Sequence, residues 1–262
     1  MIIDFHAHIY PEKIAEKASK VIGEFYDLPM CYNGSVQRLL ESGSQINVTK
    51  YIVHSTATKP AQVESINNFI IEETKRHSEF IGFGTIHPDY EDYENELSRI
   101  TKAGLKGIKL HADFQKFQMD DEKMDKIYDA AGKQGLVVLA HAGDYRFDFS
   151  SPKRIANVVE KHPDLKFVAA HFGGYTEWDK SEEFLVGKNV FFDTSSTLFK
   201  LPVEKAMQMI EKHGVEKFLF GTDYPMWNHK EELERFSKLP LSEEEKQMIL
   251  YKNASNLLDL SL

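Results

Sequence analysis

Histidine is the residue whose type and spacing in this sequence promise chemistry. His6-Ala7-His8 places imidazoles at i and i+2. In a β-strand those positions share a face, so the two rings form a chelate for a metal ion or, more blandly, a hydrogen-bonded core pair. Two further histidines close apolar runs that end in small-residue turns, His141 in Val138-Leu-Ala-His-Ala-Gly143 and His171 in Val168-Ala-Ala-His-Phe-Gly-Gly174. Together with the first pair they offer a third and a fourth nitrogen, the donor set of zinc or a similar borderline ion. Asp223, in Phe218-Leu-Phe-Gly-Thr-Asp-Tyr-Pro225, either caps the next helix or joins the ion and takes a proton from its bound water.

Lys109 and His111, in Gly107-Ile-Lys-Leu-His111, alternate onto one face opposite Ile108 and Leu110. A lysine pointing into an apolar interior is costly unless paired or used. A salt bridge to a buried acid, an anchor for a substrate carboxylate and a carboxylated bridge between two metals are the three uses open to it. Arg146, just past His141, is a candidate carboxylate clamp. Asp4 is expected to alternate onto the face of His6 and His8 and to orient a ligand from behind. His54 and His87 also end apolar runs, but Lys59-Pro60 and Pro88 follow them, and turn formation accounts for those positions nearly as well. Asp113, Tyr145 and Trp227 fall in loops without further support. His77, His162 and His213 are expected to close helices, and His229 to lie in a loop.

These residues must be positioned by regular elements. Eight short apolar runs recur: Ile2 to Phe5, Tyr51 to Val53, Phe80 to Thr85, Gly107 to Leu110, Leu136 to Ala140, Phe167 to Ala170, Val190 to Asp193 and Phe218 to Gly221. Between them lie segments of 3.6-residue apolar period, such as Val63, Ile66, Phe69 and Ile70, or Val203, Ala206, Met207 and Ile210. Strand and helix therefore alternate, which predicts an α/β fold, a single (β/α)8 TIM barrel over residues 1–262, with an open doubly wound sheet as the competing arrangement. The connection from Ile9 to Lys50 carries helical patterns near Glu12 to Gly23 and Val36 to Gly43, a helical excursion between strands 1 and 2 that either caps the barrel mouth or decorates it. In a parallel barrel the C-terminal strand ends form the active face. Seven histidines, His6, His8, His54, His87, His111, His141 and His171, fall on that rim.

Composition narrows the partners. With 32 Lys plus Arg against 41 Asp plus Glu the formal net charge is -9, so no basic field exists to hold nucleic acid. No apolar run reaches the roughly 18 residues of a membrane span, the single Cys31 makes no intrachain disulfide, and MIIDFHAH has no signal-peptide pattern, so the expected setting is cytoplasmic. A small-molecule substrate is the expected partner, and a second copy of the chain is a candidate one through aromatic stretches of the excursion.

Asp4-Phe-His-Ala-His8, Gly107-Ile-Lys-Leu-His111, Pro163-Asp-Leu-Lys-Phe-Val-Ala-Ala-His-Phe-Gly-Gly174, Phe192-Asp-Thr-Ser195, Phe220-Gly-Thr-Asp-Tyr-Pro225 and Asn253-Ala-Ser-Asn-Leu-Leu258 resemble the amidohydrolase-2 branch of the amidohydrolase superfamily, over nearly the whole chain. The resemblance implies a distorted barrel with a divalent metal at its mouth. It implies that His6, His8, His141 and Asp223 bind the ion, with His171 either polarising substrate and water or joining the metal shell. One ion, most simply Zn2+, is expected, and two are open if Lys109 bridges.

Such a site implies hydrolysis of a C-N or C-O bond in a small molecule by metal-activated water, with Asp223 moving the proton. The same branch contains nonoxidative decarboxylases of aromatic or unsaturated acids, and the same residues serve that reaction. A metal-stabilised barrel that binds a ligand without turnover is the third reading. Lys109, His111 and Arg146 suit an anionic substrate under either chemistry.

Overall fold

The computed structural model describes residues 1–261. Eight parallel strands follow one another around a barrel: β1 (Ile3–His8), β2 (Lys50–His54), β3 (Phe80–Thr85), β4 (Gly107–Leu110), β5 (Val137–Ala140), β6 (Phe167–Ala169), β7 (Phe191–Asp193) and β8 (Phe218–Leu219). The segment after β8 closes the circle: Phe5 N–H donates to Phe220 O at 2.8 Å, Asp223 N–H to His6 O at 2.9 Å and His8 N–H to Tyr224 O at 2.8 Å. The expected (β/α)8 barrel is therefore the fold, and the open sheet is not.

Strand residues divide by alternation. Ile3, Phe5, Ile52, Phe83, Val137, Leu139, Val168 and Leu219 fill the barrel, and Ala254, Leu257 and Leu258 of the C-terminal segment plug its lower end. Val53, Ile108, Leu110, Val138, Ala140 and Phe167 face outward under the helices. Those helices are α1 (Glu12–Tyr26) and α2 (Val36–Ser44) in the excursion, then α3 (Val63–Arg76), α4 (Tyr93–Lys102), the short α5 (Ala112–Gln115), α6 (Glu122–Lys133), α7 (Pro152–Lys161), α8 (Trp178–Phe184) and α9 (Val203–His213). After β8 come α10 (His229–Ser237), α11 (Glu243–Gln247) and α12 (Asn253–Leu257). Among the described residues no helix is long and apolar enough to cross a membrane.

One irregularity matters for the site. The β1–β2 register shifts between Asp4 and Ala7. A bulge adds a residue to one strand and breaks its alternation. Phe5 packs inside the barrel and Ala7 outside it. Asp4 is thereby turned outward, where its carboxylate accepts from His6 N–H, Thr222 N–H, Thr222 Oγ1–H and His229 Nε2 at 2.6–3.1 Å. This corrects the expectation that Asp4 shares the face of His6 and His8: it braces β1 against the loop after β8. His229 is likewise no loop residue. It opens α10, fully buried, with its ring nitrogens on Ser42 and Asp4.

Candidate metal centre

β1 delivers His6 and His8 to the rim, and the loop after β8 delivers Asp223 in the left-handed backbone region, at φ 58. Their donor atoms form a triangle: His6 Nε2 to His8 Nε2, His6 Nε2 to Asp223 Oδ1 and His8 Nε2 to Asp223 Oδ1 are each 3.3 Å. A tetrahedral ion with ligands at about 2.0–2.1 Å separates its donors by about 3.3–3.4 Å. Gly221 makes the close approach possible, since a Cβ there would stand 3.0 Å from His6 Cβ.

Proton accounting shows what the ring nitrogens offer. Asp193, at the end of β7, is fully buried and its Oδ2 lies 2.8 Å from His6 Nδ1. Burial alone would raise its pKa, but His6 and His171 beside it bring it down to about 2. An ionised carboxylate only accepts, so the His6 proton sits on Nδ1 and a lone pair is left on Nε2, inside the triangle. His141 has Nε2 at 2.7 Å from the carbonyl of Gly143, and His171 has Nδ1 at 3.0 Å from the carbonyl of Ser195. Both protons go to those carbonyls. His141 Nδ1 and His171 Nε2 then face each other at 3.1 Å with a lone pair each. Burial pushes both pKa values down, that of His171 to about 4, so no proton stands between them near neutral pH. Two such lone pairs repel unless a cation sits against them. This donor chemistry fits a divalent ion.

The remaining electrostatics point the same way. Burial lowers His8 to about 4 despite Asp223. Burial alone would raise Asp223, yet His6, His8 and His171 hold it well below the usual carboxylate range. His8, His141 and His171 are therefore neutral imidazoles beside an ionised carboxylate. Ser196 Oγ–H donates to Asp223 Oδ2 at 2.5 Å, and Trp227 Nε1–H donates to Ser196 Oγ at 2.9 Å, which fixes the carboxylate with Oδ1 turned to the triangle.

The sequence-predicted residues are brought together in part. His6, His8, Lys109, His111, His141, His171 and Asp223 line one narrow cavity, partly open to solvent, beneath Ile22, Tyr26 and Met30 of the excursion, with Phe114, Pro225 and Met226 at the side. The excursion therefore caps the mouth. His141 stands beside His171, whose ring stacks on that of His6 with 5.2 Å between centroids. Lys109 is fully buried with Nζ 3.0 Å from His6 Nε2, and burial lowers it to about 8. Among the described residues no carboxylate oxygen lies within 4.0 Å of Nζ, so the buried salt bridge is not the use it is put to. The His6 lone pair can serve Nζ or an ion, not both. His111 stacks between Phe114 and His141, 3.8 Å and 4.1 Å between centroids, and its Nε2 meets Tyr26 OH at 2.9 Å.

Arg146 is not brought into the cavity. It binds Asp144 through Nε and Nη2 at 2.9 and 2.6 Å, and Nη1 donates to Phe25 O at 2.6 Å, pinning the excursion to the loop after β5. His87 makes the turn expected of it, Nδ1 accepting from Asp89 N–H at 3.1 Å. Sequence reasoning passed over Asp193, Ser196 and Tyr26. Asp193 carried the same signal as Asp223, an acid at a strand's C-terminal end.

The sequence model of a family described as Amidohydrolase matches residues 3–260. The fold is similar to that of 5-carboxyvanillate decarboxylase LigW from Sphingomonas paucimobilis, with a TM-score of 0.78, 16% identity and 99% of each chain covered. It is similar to a dihydroxybenzoic acid decarboxylase from Polaromonas sp. JS666 with bound manganese and the inhibitor 2-nitroresorcinol, with a TM-score of 0.76, 15% identity and 99% of this chain and 97% of that one covered. A probable 2-pyrone-4,6-dicarboxylic acid hydrolase from Acinetobacter baumannii gives a TM-score of 0.73 at 17% identity, with 99% of each chain covered. Among curated proteins, Decarboxylase orsB of Emericella nidulans is 24% identical over 129 residues, covering 41% of this chain and only 38% of that relative's length.

Proposed function

This chain belongs to the amidohydrolase family, and on that premise we propose that it is a divalent-metal-dependent enzyme that removes carbon dioxide from a small, flat, carboxylated molecule. The observation that carries the reading is the convergence of potential metal-donor atoms: His6 Nε2, His8 Nε2 and Asp223 Oδ1 at 3.3 Å from one another, and His141 Nδ1 facing His171 Nε2 at 3.1 Å. His6, His8 and Asp223 hold the ion, and the His141–His171 pair completes its shell or holds a second one. When bound, a divalent ion there supplies a Lewis acid for substrate oxygens.

The chain's own residues supply the rest. Asp193 keeps the His6 proton on Nδ1. Lys109 Nζ, when it leaves His6, is a buried cation for a substrate carboxylate. Ile22, Tyr26, Met30, Phe114 and Met226 form an apolar roof that takes a flat ring and strips water from its carboxylate, which favours departure of neutral carbon dioxide with the electron pair of the broken C–C bond left on the ring carbon. The carbon that loses the carboxylate must gain a proton, and Asp223, ionised at rest, is placed to take one from water or a substrate hydroxyl and pass it to that carbon. Decarboxylase relatives support this order of preference.

Hydrolysis of a small ester, lactone or amide is the second reading. It is favoured by Asp223, a carboxylate kept ionised and therefore ready to take a proton from water, and by the hydrolase among the similar structures. The test is a panel of carboxylated aromatics and unsaturated acids assayed for carbon dioxide release, beside lactones, esters and amides, on protein loaded with Zn2+ or Mn2+. Carbon dioxide without hydrolysis is expected. Hydrolysis without carbon dioxide replaces the first reading by the second, and tight binding of panel members without turnover favours a ligand-binding barrel.

A further inference from the structure

We propose that His54 is a further ligand of the ion, drawn from β2; this rests on reading the rim as a cation centre. His54 ends β2 directly beside His8 in the parallel pairing. Ile52, two residues earlier, lies in the barrel interior, so alternation turns His54 inward as well. The side chain is fully buried, and neither ring nitrogen has a hydrogen-bond partner. A neutral imidazole carries one N–H and one lone pair. Both are unmet here, and each unmet buried group costs about 1–3 kcal/mol.

Buried His111 leaves only Nδ1 unpartnered, its Nε2 meeting Tyr26 OH, and two other buried histidines leave none. His213 accepts from Gly187 N–H and donates to Val190 O, and His229 uses both nitrogens on Ser42 and Asp4. A histidine kept only for packing could be leucine or phenylalanine without the desolvation cost. The position of His54 says what would meet its nitrogens. Its ring stands edge-on to His8, 4.4 Å between centroids at 84°, and edge-on to His6, 5.0 Å at 70°. One nitrogen from each of His6, His8 and His54 lies within 4.8 Å of the others. Two ligands of one ion at about 2.1 Å are at most about 4.2 Å apart, so small ring rotations suffice. His54 is not among the residues lining the cavity, so a substrate-sized molecule does not reach it. An ion lodged among the three rings does. His54 then joins His6, His8 and Asp223 around the ion.

The test strips wild type, His54→Phe and His54→Gln with chelator and titrates each with Zn2+ against a chromophoric chelator and with Co2+ by its visible absorption. Wild type is expected to bind at least one ion. Both variants are expected to bind about tenfold more weakly or worse and to shift the Co2+ spectrum, because the glutamine amide restores both hydrogen-bonding functions but is a poor ligand for a borderline ion. Melting of the stripped proteins identifies a variant that has lost its fold, and the other one then decides. Equal affinity and an unchanged spectrum in the variants overturn ligation by His54 and leave the cation centre standing. A loss confined to His54→Phe overturns it too, since the bulk and apolarity of phenylalanine rather than a missing ligand then explain the loss. No ion on wild type overturns the centre itself.

Discussion

Asp193 sets the tautomer of His6 from across the barrel: Oδ2 of the β7 acid accepts the Nδ1 proton of the β1 histidine at 2.8 Å, and both side chains are buried. The other oxygen, Oδ1, accepts from the backbone N–H of His171 at 3.0 Å and of Ser195 at 3.1 Å. One carboxylate thus aligns a ring in the donor triangle and the left-handed turn at His171, φ 61, that carries the neighbouring pair. The rim is a joined polar network rather than a set of independent side chains, and groups behind the ligands matter in proportion.

Asp193→Asn should therefore weaken the ion without unfolding the barrel. The amide can donate to Nδ1, which moves the His6 proton to Nε2 and removes its lone pair from the triangle. Affinity for Zn2+ is expected to fall by roughly 10–100-fold, the usual effect of losing such a partner. Chelator competition reads it directly, and an unchanged affinity would show that His6 Nε2 is not a donor to the ion.

Asp223 and Ser196 should separate by size of effect. Asp223→Asn removes a charge from the triangle and the proton carrier together, and turnover of any substrate found is expected to drop by roughly 10²–10⁴-fold. Ser196→Ala leaves the carboxylate but frees Oδ2 from its 2.5 Å hydrogen bond, and about a tenfold fall is expected with the ion still bound. Turnover and metal content measured side by side check both. A Ser196→Ala enzyme as active as wild type would mean that Asp223 is oriented by the triangle alone.

Much of this arrangement was legible in the sequence. Eight apolar runs separated by 3.6-residue patterns gave the barrel, and the strand-end rule placed His6, His8, Lys109, His111, His141, His171 and Asp223 around one cavity. What escaped depended on local geometry that residue types do not encode. The β1 bulge reversed the side of Asp4, because one extra residue inverts the alternation that places side chains. Arg146 looked like a substrate clamp because residue types do not show that its fork closes back on Asp144, two residues earlier, and the carbonyl of Phe25 reaches it only when α1 folds over the mouth. Asp193 ends a run read as a strand, but its work is done behind the ligands, on His6 Nδ1 and two backbone N–H groups, which only the fold brings to it.

Gly221 tests how tightly the triangle is held. A Cβ there would sit 3.0 Å from His6 Cβ and 3.4 Å from that of Ser195, tighter than ordinary contact on one side. Gly221→Ala must push β1 and the loop after β8 apart at the point where His6 and Asp223 meet. Overpacking of this kind costs about 1–3 kcal/mol, and the displacement should weaken the ion as well. Denaturation midpoints with and without Zn2+ measure both effects, with the larger loss expected in the loaded protein. Equal losses in the two states would mean that the strain does not reach the donors.

His213 gives a pH dependence that lies away from the rim. It closes α9, stacks on Phe192 at 4.2 Å, accepts Gly187 N–H at Nδ1 and donates from Nε2 to Val190 O. The accepting Nδ1 must be unprotonated, and burial lowers the group from 6.5 to about 4. In the unfolded chain the ring titrates near 6.5, so between those values the unfolded state binds the extra proton. The neutral ring's contribution is complete above about pH 6.5, shrinks as pH falls through the window toward 4, and changes no further below it. A shift of this size corresponds to a loss on the order of 3 kcal/mol. His213→Gln removes the titration and much of the clamp. Its stability deficit against wild type, from urea denaturation of the metal-stripped proteins, is expected to be largest at pH 7.5 and to narrow steadily toward pH 4.5. The rim histidines titrate in both proteins and cancel from the difference, because they are distant and share no partner with His213. A deficit constant across that range would mean that His213 titrates alike in the folded and unfolded chains, and that its two hydrogen bonds do not hold the neutral form.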